Sequence, residues 1–121
     1  MKNTFNLKNS EEFQHILKKG TWYPGDLMSL YLMKNGKDFN MIGIAVGKKF
    51  SKSSVKRNRV KRLVREAYRL SESKVCKGYS FVFLWKNDVD FKSVTYKNVE
   101  NDLFKCLKKA DILINEEEDN A

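Results

Sequence analysis

Residues 53–71, SSVKRNRVKRLVREAYRLS, constrain this chain more than any others, because they put opposite chemistries on opposite sides of one helix. Successive residues of an α-helix stand about 100° apart. Val60, Leu63, Val64 and Ala67 then share one apolar stripe, at the spacing of a face that meets a core. Asn58, Lys61, Arg62, Arg65 and Arg69 fall on the other side. From Lys48 to Arg69 the chain carries ten Lys/Arg residues and one acid, Glu66. A surface of a single sign repels itself, and solubility alone is better served by mixed charges. Such a helix needs a core behind it and a polyanion in front of it.

The rest of the chain can supply that core. At 121 residues it reads as one domain, and its 41% hydrophobic content fits a globular protein. The formal net charge is +9, but Glu116, Glu117, Glu118 and Asp119 crowd the last seven residues. Four of the 15 acids lie there, so residues 1–114 set 24 bases against 11 acids, a charge of +13. The expectation is a single domain over 1–114 and a flexible acidic tail over 115–121. No apolar run approaches the roughly 18 residues of a membrane span. The N-terminal MKNTFNLKNSEEF lacks the apolar segment of a signal peptide. Cys76 and Cys106 have no metal-ligand spacing and read as reduced thiols of a cytoplasmic protein.

Ser10 is a plausible N-cap for a short helix with Glu11 and Glu12 at its start and Lys18, Lys19 and Gly20 at its end. TWYPGD then reads as a turn around Pro24 and Gly25. Residues 27–33 and 41–46 read as strands joined by a turn at Asn35-Gly36-Lys37-Asp38. In the second strand Ile42, Ile44 and Val46 point one way, and Gly43, Ala45 and Gly47 the other. The bare face admits a packed helix or a ligand, and the helix is the expectation from sequence alone. Residues 79–86 are apolar on both faces, as in a central strand. A last helix covers 94–110, and 111–114 can add a short edge strand. The order is αββαβα(β), a two-layer α/β fold with a small mixed sheet and a long basic helix.

Catalysis by protein side chains finds little support. His15 is the one histidine, and it reads as structural. Asp88 and Asp90 could hold a divalent metal, but aspartates in a turn or a cap account for them equally well, and that reading is preferred. Nucleic-acid binding is far better supported. Guanidinium groups grip phosphates bidentately and stack on bases, and Arg57, Arg59, Arg62, Arg65 and Arg69 outnumber lysine along the helix. Lys48, Lys49, Lys52 and Lys56 lead into it, and its N-terminus adds unpaired amides. A membrane-surface helix is disfavoured, because the apolar side suits a protein core.

Lys48-Lys49, a short loop, Arg57-Asn58-Arg59-Val60-Lys61-Arg62 and then Arg65-Glu66 resembles the signature of the bacterial ribonuclease P protein family. The similarity in element order extends over roughly residues 5–113. The resemblance implies a left-handed βαβ crossover and a small subunit of a ribonucleoprotein. It implies an RNA partner that hydrolyses precursor tRNA with Mg2+ to remove the 5′ leader. Carried over by position, RNA contacts fall on Arg57, Asn58, Arg59, Lys61, Arg62 and Arg65, and the basic pattern itself adds Lys48, Lys49, Lys52, Lys56 and Arg69 to the expected RNA-binding set. A leader cleft falls on Phe13, Leu17, Ser29, Tyr31 and Ala45, with Lys48 and Lys49 at its edge. Leu17 stands where the family often has an aromatic. The alternatives are a ribosomal-type RNA-binding protein with no processing role, and a protein-only nuclease using Asp88 and Asp90.

Overall fold

The computed structural model describes residues 1–114, and the acidic tail expected over 115–121 lies outside the described residues. The elements are β1 (Thr4–Asn6), α1 (Ser10–Lys19), β2 (Thr21–Pro24), β3 (Met28–Lys34), β4 (Asn40–Ala45), α2 (Ser54–Ser71), β5 (Tyr79–Trp85) and α3 (Tyr96–Lys109). The strand with two apolar faces, β5, takes the centre of a mixed sheet ordered β1-β4-β5-β3-β2. It runs parallel to β4 and antiparallel to β3.

Alternation then sorts the side chains. Met28, Leu30, Leu32, Ile42, Phe81 and Phe83 point to one face and are buried with Val60 and Val64 of α2 and Val99, Leu103 and Leu107 of α3. Ser29, Tyr31, Gly43, Ala45, Val82 and Leu84 point to the other face, which α1 crosses. A Cβ placed on Gly43 would run into the Phe13 ring and stand 3.0 Å from Leu7 Cδ1. The bare strand face therefore receives a helix at Gly43, and glycine is what allows that approach.

The hand of the crossover follows from the hydrogen bonds. The Asn40 amide donates to Asn3 and the Ile42 carbonyl accepts from Leu7, each at 2.8 Å, so these groups point toward β1 while Ile42 faces α2. Viewed from α2 with β4 running upward, an L-residue facing the viewer directs its N–H and C=O to the right. Hence β1 lies to the right of β4 and β5 to its left. The β4–α2–β5 connection is left-handed, against the strong general preference for the right hand.

Several expectations change. TWYP is not a turn but the edge strand β2, a place where proline is tolerated. TFN forms a further edge strand, β1, pairing in parallel with β4. The Asn35–Asp38 turn exists, with Gly36 at φ 70°, yet the strands that flank it do not pair because β5 lies between them. The N-cap of α1 is Asn9, whose side chain accepts from the Glu11 amide at 2.8 Å, rather than Ser10. In place of a strand at 111–114 there is an isolated bridge between Val75 and Leu113. On α2, Leu63 is only half-buried, while Tyr68 and Ser71 join the buried side. Tyr68 anchors β1 through a 2.6 Å hydrogen bond between its hydroxyl and that of Thr4.

Candidate nucleic-acid interface

Helix α2 starts at the Ser53 cap, whose hydroxyl accepts from the Lys56 amide at 3.3 Å. Its first turn contains no acid, so no side-chain charge cancels the partial positive charge of that end. Arg57 sends Nη1 to the Ser51 carbonyl at 2.8 Å and ties the preceding loop to the helix. Lys56 lies 4.9 Å over the Phe91 ring. These contacts fix how the helix leaves the loop that bears Lys48, Lys49 and Lys52.

The burial of Val60, Val64, Ala67 and Tyr68 sets the rotation of the helix. Asn58, Lys61, Arg62, Arg65 and Arg69 are thereby turned outward, where with Glu66 they line one shallow groove. Of these cations Arg69 alone meets a carboxylate among the described residues. It meets Glu66 twice, Nη2 to Oε1 at 2.6 Å and Nε to Oε2 at 3.2 Å, and this holds the Glu66 carboxyl below its usual range. Among the described residues the other ion pair is Lys105–Asp26, far from this surface in sequence. Arg57, Arg59, Lys61, Arg62 and Arg65 therefore have no carboxylate partner there. Within the expected set, Arg69 is the member engaged by a carboxylate among the described residues.

A second feature occupies the opposite face of the sheet. Ala45, Leu84 and Ser29 form one row across β4, β5 and β3. Phe13 packs at Gly43, one row back, and the half-buried Leu17 follows one helical turn later. Ser29, Leu84, Lys48, Lys49, Lys86 and Asn87 line a trough at the end of this row. Lys86 is oriented by its bond to the Gly25 carbonyl at 2.5 Å. The expected cleft residues are thus gathered on one face, with Tyr31 one row from Ser29 and Phe13 and Leu17 above. Leu84, Lys86 and Asn87 were missed, although the alternation of Ser80, Val82 and Leu84 against Phe81, Phe83 and Trp85 marks Leu84 for this face. The arrangement is a largely apolar floor with three lysines and one acid, Asp88, at one end, a net positive trough of the kind in which a single strand can stack its bases while its phosphates are neutralised.

Asp90 is occupied as a cap, accepting from the Lys92 amide at 3.0 Å. Among the described residues no three His, Cys, Asp or Glu side chains come together as a metal-binding group.

Comparison with known proteins agrees with this geometry. The family model described as Ribonuclease P matches residues 1–111. The chain is 43% identical over 107 residues to the ribonuclease P protein component of Clostridium botulinum (strain Loch Maree / Type A3), covering 88% of this chain and 94% of that one. It is 38% identical over 114 residues to the corresponding protein of Alkaliphilus oremlandii, covering 93% and 96%. The fold is similar to that of the Staphylococcus aureus RNase P protein, with a TM-score of 0.77 at 28% identity over 88% of this chain and 95% of that one. The Thermotoga maritima RNase P protein gives a TM-score of 0.77 at 29% identity, covering 86% and 96%. A basic helix docked by its apolar side, a trough across the other sheet face and matches along nearly the full length lead to one conclusion: the chain belongs to the ribonuclease P protein family.

Proposed function

We propose that this chain serves as the protein subunit of ribonuclease P, with two RNA-facing surfaces that divide the work. The outward side of α2 and the Lys48–Lys49–Lys52 loop lie against the RNA subunit, and the trough on the opposite face holds the 5′ leader of precursor tRNA. The observation that carries this reading is the row of guanidinium and ammonium groups on α2 that, Arg69 apart, have no carboxylate partner among the described residues. A row of like charges raises the energy of the isolated protein, and contact with phosphates relieves it while releasing counterions.

Hydrolysis of the leader bond belongs in this reading to the RNA, which holds the Mg2+ on its own phosphate oxygens. The residues described here offer no constellation for that ion, and no protein group is assigned a chemical step. The chain contributes positive charge that lowers repulsion between two polyanions and a surface that fixes where the leader runs. Reconstitution tests this directly. Precursor tRNA incubated with the RNA subunit and this protein at physiological Mg2+ should be cut at the mature 5′ end, and the protein alone should yield no product. Correct cleavage by RNA-free protein would overturn the proposal.

A further inference from the structure

Trp22 lies in β2, and 56% of it is exposed. Its neighbour Tyr23 packs toward the core, so Trp22 points to the face that α1 crosses. It pairs in register with Tyr31, which in turn pairs with Val82. The row Gly43–Val82–Tyr31–Trp22 thus ends in an open indole at the sheet edge. The C-terminus of α1 is pressed against β3 next to it. A Cβ on Gly20 would meet the Leu32 backbone at 3.2 Å, and Thr21 pairs with Leu32. The exposed Lys18 and Lys19 therefore lie where the chain enters β2. The Cβ atoms of directly opposed residues on two antiparallel strands are about 5 Å apart, so Trp22 and Tyr31 stand side by side on this face.

An exposed indole beside a second aromatic and two lysines has the composition of a stacking platform for single-stranded nucleic acid. We propose that Trp22 is a specificity-determining position that stacks a base of the 5′ leader beyond those in the trough, with Lys18 and Lys19 on the adjoining phosphates. The inference rests on the trough being the leader site. Trp22 would then lengthen the stretch of leader that is read.

The experiment uses the reconstituted holoenzyme and precursor tRNAs whose leaders are shortened one nucleotide at a time. Trp22→Ala should match the parent on leaderless tRNA and short leaders, then lose about fivefold or more in affinity once the leader passes a threshold length. Trp22→Phe should retain most of that gain, because a ring still stacks. The second tryptophan, Trp85, is only 3% exposed, so indole emission should change at the same threshold in the parent and not in Trp22→Phe. Equal losses on leaderless and long-leader substrates, or no loss at any length, would overturn the assignment. Tyr31→Ala run alongside separates the two readings. If Tyr31→Ala loses leader-dependent affinity and Trp22→Ala does not, the extension alone fails. If neither does, the trough reading fails as well.

Discussion

Asp102 offers the sharpest test of how the fold is held. It lies on the buried side of α3 with 4% exposure, and its carboxylate accepts three backbone amides. The Asp26 amide reaches Oδ1 at 2.6 Å, and the Leu27 and Met28 amides reach Oδ2 at 2.9 Å each. One side chain thereby clamps the connection that turns β2 into β3. In Asp102→Asn the amide oxygen can keep the pair at Leu27 and Met28, but its NH2 then faces the Asp26 N–H. One charge-assisted bond is lost and two become neutral bonds. With hydrogen bonds to charged groups contributing roughly 1.5–3 kcal/mol and neutral ones roughly 1 kcal/mol, the total loss is about 3 kcal/mol. For a chain of this length that corresponds to a fall in Tm of roughly 10 °C. Thermal unfolding followed by circular dichroism measures it, and RNA-subunit binding at 20 °C should be unchanged because α2 is untouched. A Tm shift under about 2 °C would refute the clamp, since three N–H groups, one buried and two partly buried, cannot lose their anion at so little cost.

Two further predictions follow from the same packing. Gly43→Ala forces a methyl group into the Phe13 ring and within 3.0 Å of Leu7, at a cost of about 1–3 kcal/mol; by tilting α1 it should weaken binding of long-leader precursor tRNA more than of leaderless tRNA, and equal affinities would count against α1 as the trough wall. Burial, reinforced by the nearby Asp102 carboxylate, pushes the Cys106 thiol up to about 12, so the native chain keeps that proton as pH rises above the roughly 8.5 of a free thiol. The unfolded chain loses it, so this contribution to stability is full below about 8.5 and declines toward 12. At pH 8 a thiol reagent should label the half-buried Cys76 and leave Cys106 unmodified until the chain unfolds; two thiols reacting together would contradict the packing.

How much was legible beforehand depended on whether the signal was local. Helix α2 announced itself because eighteen residues repeat one pattern, and β5 because its length is apolar on both faces. β1 and β2 have only three and four residues, too few for alternation to register, and Pro24 beside Gly25 imitates a turn. Their pairing is decided by β4 and β3, which lie elsewhere in sequence. Tyr68 lies outside the apolar stripe legible in the sequence, because its hydroxyl can be buried only with a partner, Thr4, that is 64 positions away. Asp102 was invisible for the same reason, since a buried carboxylate makes sense only with the amides it caps. The basic stripe could be listed from the sequence, but the pairing of Arg69 with Glu66 needed coordinates to be seen. Strand parity is a strict rule and puts Ser29, Tyr31 and Ala45 on one sheet face, whereas Lys86 and Asn87 enter the trough from a loop, where no periodicity applies.

The central claim is that the outward side of α2 is what meets RNA phosphate, and the salt dependence of assembly tests it most directly. The affinity of the RNA subunit for the parent chain and for Arg62→Glu/Arg65→Glu should be measured across a series of monovalent salt concentrations. Each phosphate contact contributes roughly 0.7–0.9 to the slope of log affinity against log salt, so the double variant should bind more weakly with a slope shallower by about 1.5. Parallel lines for the two proteins would contradict the account.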